Sequence, residues 1–574
     1  MKELSEKKDR RRTTSLNTMF QDMELEVLKQ NIFNKHKQVV HEIDEKLDKI
    51  FDDFLIEVNK LSLNRFEVEK LFDDGLNGKH KSKAEITVKQ SDKPKKFEPR
   101  VKLPEKHFQP RNALLTDLFE IKHLKTIYHI FIVIFNLLLL NVLIADFADT
   151  GKINIGLGPI ITGFGGFHYA LIIWCMMQTV TFGLFPAFNI WSVITRKFFI
   201  KSDFAIIWHM FSVLIVAMYM IIFTLVFTRM VIYFDMAPAS SVAALMELVR
   251  FLMKSYAFIR TNVPRILNSK NKLKTDDNEW NKPQSNGKMK TIENFRINEK
   301  RLFPTFGQYV YFLFAPTLVY RDEYPRTKQI KWKFVAKSFM EVIGVIFIYS
   351  LISERIMYPV YNQFGSQGYE VNFKDLLASV FNSMLPGLLC FLCGFYCVLH
   401  SWMNAFAEML KFADRKFYSD WWNSSNFTVY YRTWNVIVHD WLYLYVYKDL
   451  YEYVTGRNRV LSLLLVFTLS AIFHEYILGF TFKFCYPILF VMFQGVGVVL
   501  IFLTKKEHKA FGNIFMWLAI AIGMGLILSL YHMEFYARKN CDFDREDWRN
   551  YFIPISWSCN GIKFSDNWEM KMHF

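Results

Sequence analysis

Eight long apolar stretches constrain the fold of this chain more than any other feature of its sequence. A helix needs about 20 mostly apolar residues to cross a bilayer, and it satisfies its own backbone hydrogen bonds there. The pattern predicts an all-α, polytopic membrane protein and excludes a single soluble domain, a coiled-coil fibre and a fully disordered chain. The stretches cover residues 127–148, 166–189, 204–235, 336–357, 376–399, 461–483, 484–504 and 513–532.

The charges are strongly segregated along the chain. Residues 1–126 contain 27 Lys and Arg and 23 Asp and Glu, and charged residues are much sparser in the remainder. We therefore divide the chain into a cytosolic N-terminal arm, residues 1–110, and a membrane-embedded body, residues 111–574. The first residues lack the apolar core of a secretory signal peptide, so the N-terminus is expected to stay in the cytosol.

A basic segment decides the predicted number of crossings. Residues 250–334 carry a net charge of +11, out of +16 for the whole chain, and the positive-inside rule places such a segment in the cytosol. Only three of the eight stretches precede it, and three crossings would put it on the opposite side. A ninth, more polar crossing at 239–259 resolves the conflict. Its Glu247, Arg250 and Lys254 share one helical face, which we expect to point into the bundle.

Nine crossings place the C-terminal tail, residues 533–574, in the lumen. The tail contains Cys541 and Cys559. An oxidising lumen would allow these two cysteines to form a disulfide, and two free thiols are the alternative. Cys390 and Cys393 form a CxxC pair, but they lie in an apolar stretch without a flanking histidine. We interpret this pair as core-packing residues and predict no metal site.

The N-terminal arm contains one amphipathic segment and one linker. Apolar residues recur at steps of three and four over residues 40–61, which predicts a helix with a short heptad-like seam. That seam fits self-association and packing on the protein's own body equally well. Residues 74–110 are polar, Lys-rich and aperiodic, as is typical of a flexible linker. The basic residues cluster beside apolar stretches, including a cytosolic loop at 260–335, so topology accounts for them better than nucleic-acid binding does.

The most informative polar residue inside an apolar stretch is His474, which Glu475 follows directly. The segment is not HExxH, so zinc peptidase chemistry is unsupported. A neutral imidazole can accept a proton near neutral pH, which makes His474 a candidate general base. The alternative is a hydrogen-bonded core histidine. Asn435 and His439 share one helical face in the aromatic-rich region 417–448, where a membrane-interface belt alone would not need them.

The heptapeptide FYSDWWN at 417–423 matches the FYxDWWN signature of membrane-bound O-acyltransferases that use long-chain acyl-CoA. From about Arg111 to the C-terminus, the chain resembles the sterol O-acyltransferase branch of that family. Further matches are FAPTLVYRDEYPR at 314–326, YYRTWNVIVHDWLY at 430–443 and HEY at 474–476. The related diacylglycerol acyltransferases share FYxDWWN and HEY, but they differ after FYxDWWN and after FAPTL and lack the Cys-bearing tail.

This resemblance implies both an activity and a site. The activity is transfer of a long-chain acyl group from acyl-CoA to the 3-hydroxyl of cholesterol or a related sterol, within the lipid of the endoplasmic reticulum membrane. Acyl-CoA is a co-substrate, and no cofactor is expected. The family forms dimers or tetramers, so a homo-oligomer is expected. His474 is implied as the catalytic base, Asn435 as its partner and His129 as a residue near a lateral sterol site. Acyl-CoA contacts are implied for Phe417, Tyr418, Asp420, Trp421, Trp422, Asn423, Arg432, Trp434, His439, Tyr447, Arg459 and Ser470.

Two other functions remain open on the sequence. The same chemistry on diacylglycerol or a long-chain alcohol would use the same two catalytic residues. A non-catalytic transporter or scaffold would turn over no acyl-CoA, and it leaves unexplained why Asn435 and His474 both lie near apolar surface. A competition between acceptors for labelled oleoyl-CoA separates these three functions.

Overall fold

The computed structural model describes residues 106–152, 156–199, 204–267, 303–366, 373–504, 509–543 and 547–557. Within these ranges the protein is helical, and extended pairing is limited to two isolated bridges, Arg111 with Asp414 and Arg326 with Phe412. The predicted all-α fold class is therefore confirmed. The predicted helix at 40–61, most of the linker and the centre of the basic loop lie outside the described residues.

Seventeen α-helices lie in the described residues. The first nine are α1 Leu114–Leu118, α2 Lys122–Thr150, α3 Gly158–Gly163, α4 Phe167–Ile194, α5 Ala205–Tyr233, α6 Pro238–Leu267, α7 Phe306–Phe314, α8 Trp332–Ile352 and α9 Tyr358–Tyr361. The other eight are α10 Phe373–Phe395, α11 Met403–Met409, α12 Phe427–Trp434, α13 Val436–Trp441, α14 Arg459–Phe482, α15 Ile488–Phe490, α16 Val498–Leu503 and α17 Lys509–Asn540.

Short π-helical segments and tighter 3₁₀ turns join or extend these helices. Such π-helical interruptions are frequent at functional sites. The π-helical segments are Thr195–Phe199, Ser353–Met357, Tyr396–Trp402, Leu442–Tyr447, Leu450–Val454 and Val491–Gly497. The 3₁₀ turns are Trp421–Asn423, Trp548–Tyr551 and Ile555–Trp557.

Seven helical segments in the described ranges are long and apolar enough to cross a membrane, so this is a multi-pass membrane protein. They confirm seven of the eight predicted stretches. The eighth, 484–504, forms only a shorter apolar helix over Ile488–Leu503. Lys483 has a left-handed backbone conformation that ends α14, and the next helix starts after Pro487. The seven are Lys122–Asp149, Phe167–Phe198, Ala205–Tyr233, Trp332–Tyr361, Phe373–Met409, Arg459–Phe482 and Ala510–Asn540.

The candidate ninth crossing lies within α6, which has 30 residues and a polar face. That face points into the bundle, as predicted. Trp174 Nε1 donates to Glu247 Oε2 at 2.8 Å, and Arg250 Nη1 donates to the carbonyl oxygen of Leu313 at 2.8 Å. Lys254 is 2% exposed. The orientation of the face is confirmed, and the count of nine crossings stays a prediction.

Lys254 caps the carboxyl end of α7. Its Nζ atom donates to the carbonyl oxygens of Phe312, Leu313 and Ala315 at 2.7 to 2.8 Å. Pro316 has no N–H group, so it cannot bond the Phe312 carbonyl that would otherwise be its partner in a continuing helix. The buried amino group of Lys254 supplies the missing donor.

Replacing Lys254 with methionine is expected to lower the free energy of unfolding by about 1–3 kcal/mol, since the buried Phe312 carbonyl loses its donor. Thermal unfolding of the purified protein in detergent measures the change. Lys337→Met is the control, because that lysine also lies in a long helix of the body but its side chain is 61% exposed. Equal unfolding temperatures for Lys254→Met and the parent would refute the capping role.

Helix α17 packs along α10, and glycines allow the two backbones to approach closely. A Cβ atom on Gly525 would lie 2.8 Å from the carbonyl oxygen of Val380. A Cβ atom on Gly387 would lie 3.0 Å from that of Met524. Backbone atoms cannot rotate away, so larger side chains would separate the helices. Small residues serve the same purpose in other membrane helix pairs.

Helix α6 also holds the chain segment 436–454 in place. Arg260 donates to both carboxylate oxygens of Asp449, from Nη2 at 2.7 Å and from Nε at 2.8 Å. Trp441 Nε1 donates to the carbonyl oxygen of Met253 at 2.9 Å. A bidentate pair of this kind fixes orientation as well as distance, so the region has a defined position relative to α6.

The two cysteine pairs singled out in the sequence lie in different parts of the chain. Cys390 and Cys393 are unpaired thiols in α10, and Cys390 is buried in the core, in agreement with a packing role. Cys541 is buried next to Gly365. Its predicted partner, Cys559, lies outside the described residues, so the disulfide stays a prediction. Among the described residues, no group of three or more His, Cys, Asp or Glu is placed to hold a metal ion.

Candidate active site

His474 lies in the second half of α14, a membrane-spanning helix. Its Nδ1 atom lies 2.7 Å from the carbonyl oxygen of Ser470, one turn earlier. Because a carbonyl only accepts, Nδ1 carries the proton of the neutral ring, and the Nε2 lone pair remains available as a base. The ring is exposed, and it stacks on Phe493 with ring centres 4.8 Å and planes 24° apart. The imidazole therefore borders open space in a fixed orientation.

Glu475, the next residue, is buried and anchors the neighbouring chain segment. One of its carboxylate oxygens accepts from the Tyr531 hydroxyl at 2.8 Å, and the other accepts from the backbone N–H of Phe490 at 3.0 Å. Phe490 leads into the π-helical segment Val491–Gly497, which carries Phe493. Glu475 thus ties the helix of the histidine to the segment whose aromatic ring packs on it. From the sequence, Glu475 stands out only as the neighbour of His474 in HEY, and no pattern predicts a role for Tyr531 or Phe493.

Replacing Glu475 with alanine is expected to lower kcat roughly ten- to a hundredfold, since a misplacement of about 1 Å can cost ~10²-fold. The N–H of Phe490 loses its acceptor, and the hydroxyl of Tyr531 keeps only the carbonyl oxygen of Tyr486, so the segment that carries Phe493 is no longer tied to α14 by this carboxylate. Glu475→Gln keeps an amide oxygen as acceptor and should recover most of the rate with little change in KM. Initial rates at varied acyl-CoA concentration measure both parameters. Parental kcat in Glu475→Ala would contradict this positioning role.

Asn435 separates α12 from α13. Its backbone, at φ −131° and ψ 87°, is not helical, and its Oδ1 atom accepts from the N–H of Val438 at 3.1 Å. Asparagine is a preferred residue for capping a helix in this way. The cap occupies the carbonyl side of the carboxamide. The Nδ2 amide donates to no group in the described part of the chain and remains available to a ligand.

Aromatic side chains connect the Asn435 segment to the helix of His474. Tyr431, one turn before Asn435, lies with its ring centre 5.1 Å from that of Phe467 in α14 and 6.3 Å from that of Phe493. Phe493 therefore packs on the imidazole and also lies near Tyr431. The structure thus connects the helix that precedes Asn435 to the ring that packs on His474, and the joint catalytic role of Asn435 and His474 stays a prediction.

The FYSDWWN motif is mainly a support for this region. Phe417, Tyr418 and Trp421 are each 1% exposed, so all three side chains pack inside the protein. The N–H of Val436 donates to the carbonyl oxygen of Phe417 at 2.9 Å, so the motif braces the break at Asn435. The predicted acyl-CoA contacts of the motif stay predictions. For its three buried members, the structure instead shows a packing role.

The other predicted acyl-CoA residues in and near this motif have different surroundings. The carbonyl oxygen of Trp422 accepts from Asn513 Nδ2 at 2.8 Å, which ties the motif to α17. Asp420 and Asn423 are exposed. Trp434 stacks on Phe391 of α10 with ring centres 4.3 Å apart. Asp420 and Asn423 are thus the motif side chains most accessible to a ligand.

Tyr418 also links three elements through its hydroxyl group. His400 Nδ1 lies 2.7 Å from this hydroxyl, and the N–H of Leu115 donates to it at 3.3 Å. Burial raises the pKa of Tyr418, so the group remains a neutral hydroxyl that can donate to the histidine. This linkage fixes the start of FYSDWWN against α1 and the π-helical segment Tyr396–Trp402.

His439 and Tyr447 belong to one row of aromatic rings. The row continues from His439 through Tyr443 and Tyr447 to Tyr451, with ring planes within 16° of parallel and centres 5.8 to 6.4 Å apart. The row follows the chain from α13 through the two π-helical segments Leu442–Tyr447 and Leu450–Val454. Burial would raise the pKa of Asp440, but the hydrogen bond from His439 and the charge of Lys106 hold it below its ordinary value. Tyr443 and Tyr451 were not predicted as site residues, although aromatic rings recur every four residues from His439 to Tyr451.

Three other predicted site residues are exposed: Arg432, Arg459 and His129. Arg432 lies in the last turn of α12, three residues before Asn435, and Arg459 begins α14. His129 lies in α2, and no contact in the described residues joins it to His474. Its role near a sterol and the acyl-CoA contacts of the two arginines stay predictions.

Comparisons with known proteins identify the family. The membrane-bound O-acyltransferase family (MBOAT) matches residues 222–533, a range that includes Asn435 and His474. Sterol O-acyltransferase 1 of Mus musculus is 36% identical over 460 residues, or 80% of both chains. Sterol O-acyltransferase 1 of Chlorocebus aethiops is 37% identical over 460 residues, or 80% of this chain and 78% of that protein. Sterol O-acyltransferase 2 of Homo sapiens is 34% identical over 458 residues, or 79% of this chain and 81% of that protein. The resemblance is therefore confirmed: this chain belongs to the membrane-bound O-acyltransferase family, as an O-acyltransferase homologous to sterol O-acyltransferases 1 and 2.

Proposed function

We propose that this protein transfers a long-chain acyl group from acyl-CoA to the 3-hydroxyl of a sterol such as cholesterol. The observation that carries the proposal is the state of His474, whose Nδ1 proton is fixed by Ser470 and whose Nε2 atom makes no hydrogen bond to the described part of the chain, in a residue that is exposed. The names of the relatives, sterol O-acyltransferases 1 and 2, supply the acceptor. An endoplasmic reticulum location and a homo-oligomer, which the resemblance to the sterol O-acyltransferase branch implies, are part of this proposal.

The chemistry requires a base for a weak nucleophile. A sterol hydroxyl attacks the carbonyl carbon of the thioester while Nε2 of His474 takes its proton. The carbonyl electrons move to oxygen and form a tetrahedral oxyanion. When the carbonyl re-forms, the C–S bond breaks and the CoA sulfur takes the proton from Nε2. The products are a steryl ester and CoA, and the imidazole returns to its neutral form.

Asn435 is suited to stabilise the oxyanion. Its Oδ1 atom is held by Val438, so the carboxamide cannot rotate freely and its Nδ2 donor keeps one direction. A donor that is oriented before the reaction stabilises developing charge at no cost of reorganisation. The acyl chain and the sterol are apolar and exclude water from the space beside His474, which suppresses hydrolysis of acyl-CoA.

The two substrates reach the site by different routes. Acyl-CoA carries phosphates and must come from the aqueous side, where the exposed Arg432 and Arg459 would attract it. The sterol is a membrane lipid and would enter from the bilayer between helices. His129 is a candidate contact on that route, because it is exposed on α2.

An acceptor competition tests the proposal. Purified protein receives labelled oleoyl-CoA together with equal amounts of cholesterol, diacylglycerol and a long-chain alcohol, and the labelled products are separated by chromatography. We expect steryl ester as the main product and none from the His474→Ala variant. Triacylglycerol or wax ester as the main product would replace the sterol assignment. Absence of label transfer to every acceptor would contradict a catalytic function.

A further inference from the structure

We propose that the segment Asp547–Trp557 is a membrane-interface anchor, whose exposed aromatic face inserts among lipid headgroups and upper acyl chains. The segment follows α17 and forms two 3₁₀ turns, Trp548–Tyr551 and Ile555–Trp557. It lies outside the seven membrane-spanning helices. Its hydrogen bonds to the ends of α17 and α14, the depth in the bilayer that they set and its exposed apolar side chains lead to this assignment.

The first attachment is to the end of α17. Glu534 is fully buried, and its carboxylate oxygens accept from the N–H groups of Ile555 and Ser556 at 2.9 and 3.0 Å. Arg538 Nε donates to the same carboxylate at 2.6 Å, and its Nη2 atom donates to the carbonyl oxygen of Asn550 at 2.7 Å. The segment therefore folds back along the helix from which it emerges.

The second attachment is to the end of α14. The N–H of Cys485 donates to the carbonyl oxygen of Tyr551 at 2.9 Å. The hydroxyl of Tyr551 donates to the carbonyl oxygen of Gly479 at 3.3 Å. These bonds hold the segment against a second membrane-spanning helix, so two independent helix ends fix its position.

These attachments set the depth of the segment in the bilayer. Glu534 lies six residues before the last residue of α17, Asn540, which is about 9 Å at 1.5 Å per residue. Gly479 lies three residues before the last residue of α14, Phe482. A segment bonded at these positions lies level with the last turns of two spans, where headgroups meet acyl chains.

Four of the five exposed residues of the segment are apolar, and the fifth is Arg549. Trp548 is 74% exposed, Phe552 57%, Ile553 50% and Trp557 61%. Aromatic side chains, above all Trp and Tyr, favour the membrane interface. The backbone groups of residues 550, 551, 555 and 556 named above are already paired inside the protein, which removes the main obstacle to contact with lipid. The lipid bilayer is therefore the partner that fits this face.

A fluorescent amino acid, placed singly at Trp548 or Phe552 of the full chain, tests the anchor. Arg549 is the matched control position, because it lies in the same turn and its side chain is 67% exposed but charged. The proteins are reconstituted in phosphatidylcholine nanodiscs with nitroxide-labelled acyl chains, and aqueous iodide serves as the opposite quencher. We expect several-fold stronger nitroxide quenching at positions 548 and 552 than at 549, and the reverse order with iodide.

Equal nitroxide quenching at 548, 552 and 549 would overturn the proposal. So would strong iodide quenching at 548 and 552, which would place the face in water. A photo-crosslinking amino acid at Trp548 distinguishes the remaining partner. Crosslinks to lipid support the anchor, and crosslinks to a second copy of the chain reject it in favour of a protein interface. All these readouts are independent of acyltransferase activity.

Discussion

Replacing His474 with alanine is expected to lower kcat by about 10²–10⁴-fold, the usual contribution of a positioned general base. The KM for acyl-CoA should change little. The two contacts of the ring, with the Ser470 carbonyl and with Phe493, lie within the protein, so its removal deletes a base without deleting a binding contact. Initial rates of labelled ester formation by the purified protein, at saturating concentrations of both substrates, measure the loss.

His532 provides a matched control for this substitution. Its Nδ1 atom lies 2.7 Å from the carbonyl oxygen of Leu528, which repeats the bond of His474 to Ser470 in another membrane-spanning helix. Its ring packs on Tyr361, with centres 5.4 Å apart. His532→Ala should therefore keep a rate close to that of the parent. A parental rate in His474→Ala, or equal losses in both variants, would reject the catalytic assignment.

The parts of the fold that the sequence predicted are those set by local pattern. Seven spans follow from runs of apolar residues, since lipid requires such runs to be helical. The inward orientation of Glu247, Arg250 and Lys254 follows from their shared helical face and the cost of exposing charge to lipid. Positions of this kind can be read from neighbours along the chain.

The support of the site could not be predicted because it depends on contacts between distant residues. Glu475 meets Tyr531 across 56 positions, and Phe493 reaches His474 through a π-helical segment. The FYSDWWN motif shows a second reason. Its aromatic residues are predicted ligand contacts, and the structure adds that Trp421 among them is buried. A motif identifies a family without showing whether each member touches substrate or braces what does.

Replacing Asn435 with alanine is expected to lower kcat by about 10²–10³-fold, the usual cost of losing one oxyanion donor. Alanine also removes the helix cap, which costs about 0.5–2 kcal/mol of stability. Two further variants separate these effects. Asn435→Asp and Asn435→Ser both keep an acceptor for the N–H of Val438 but lack the amide donor. Both should remain folded and slow, whereas a residue that acts only as a cap would tolerate them.

Asn426 supplies the control for capping alone, because it begins α12 as Asn435 begins α13. Its Oδ1 atom accepts from the N–H of Val429 at 2.8 Å. Asn426→Ala should therefore lower the unfolding temperature without a comparable loss of kcat. If Asn435→Asp turned over at the parental rate, Asn435 would be a structural cap, and the oxyanion would need another donor. If Asn426→Ala lost as much activity as Asn435→Ala, the effect would lie in the stability of this region. Only a loss confined to Asn435, and shared by its Asp and Ser variants, supports the amide as the group that meets the developing charge.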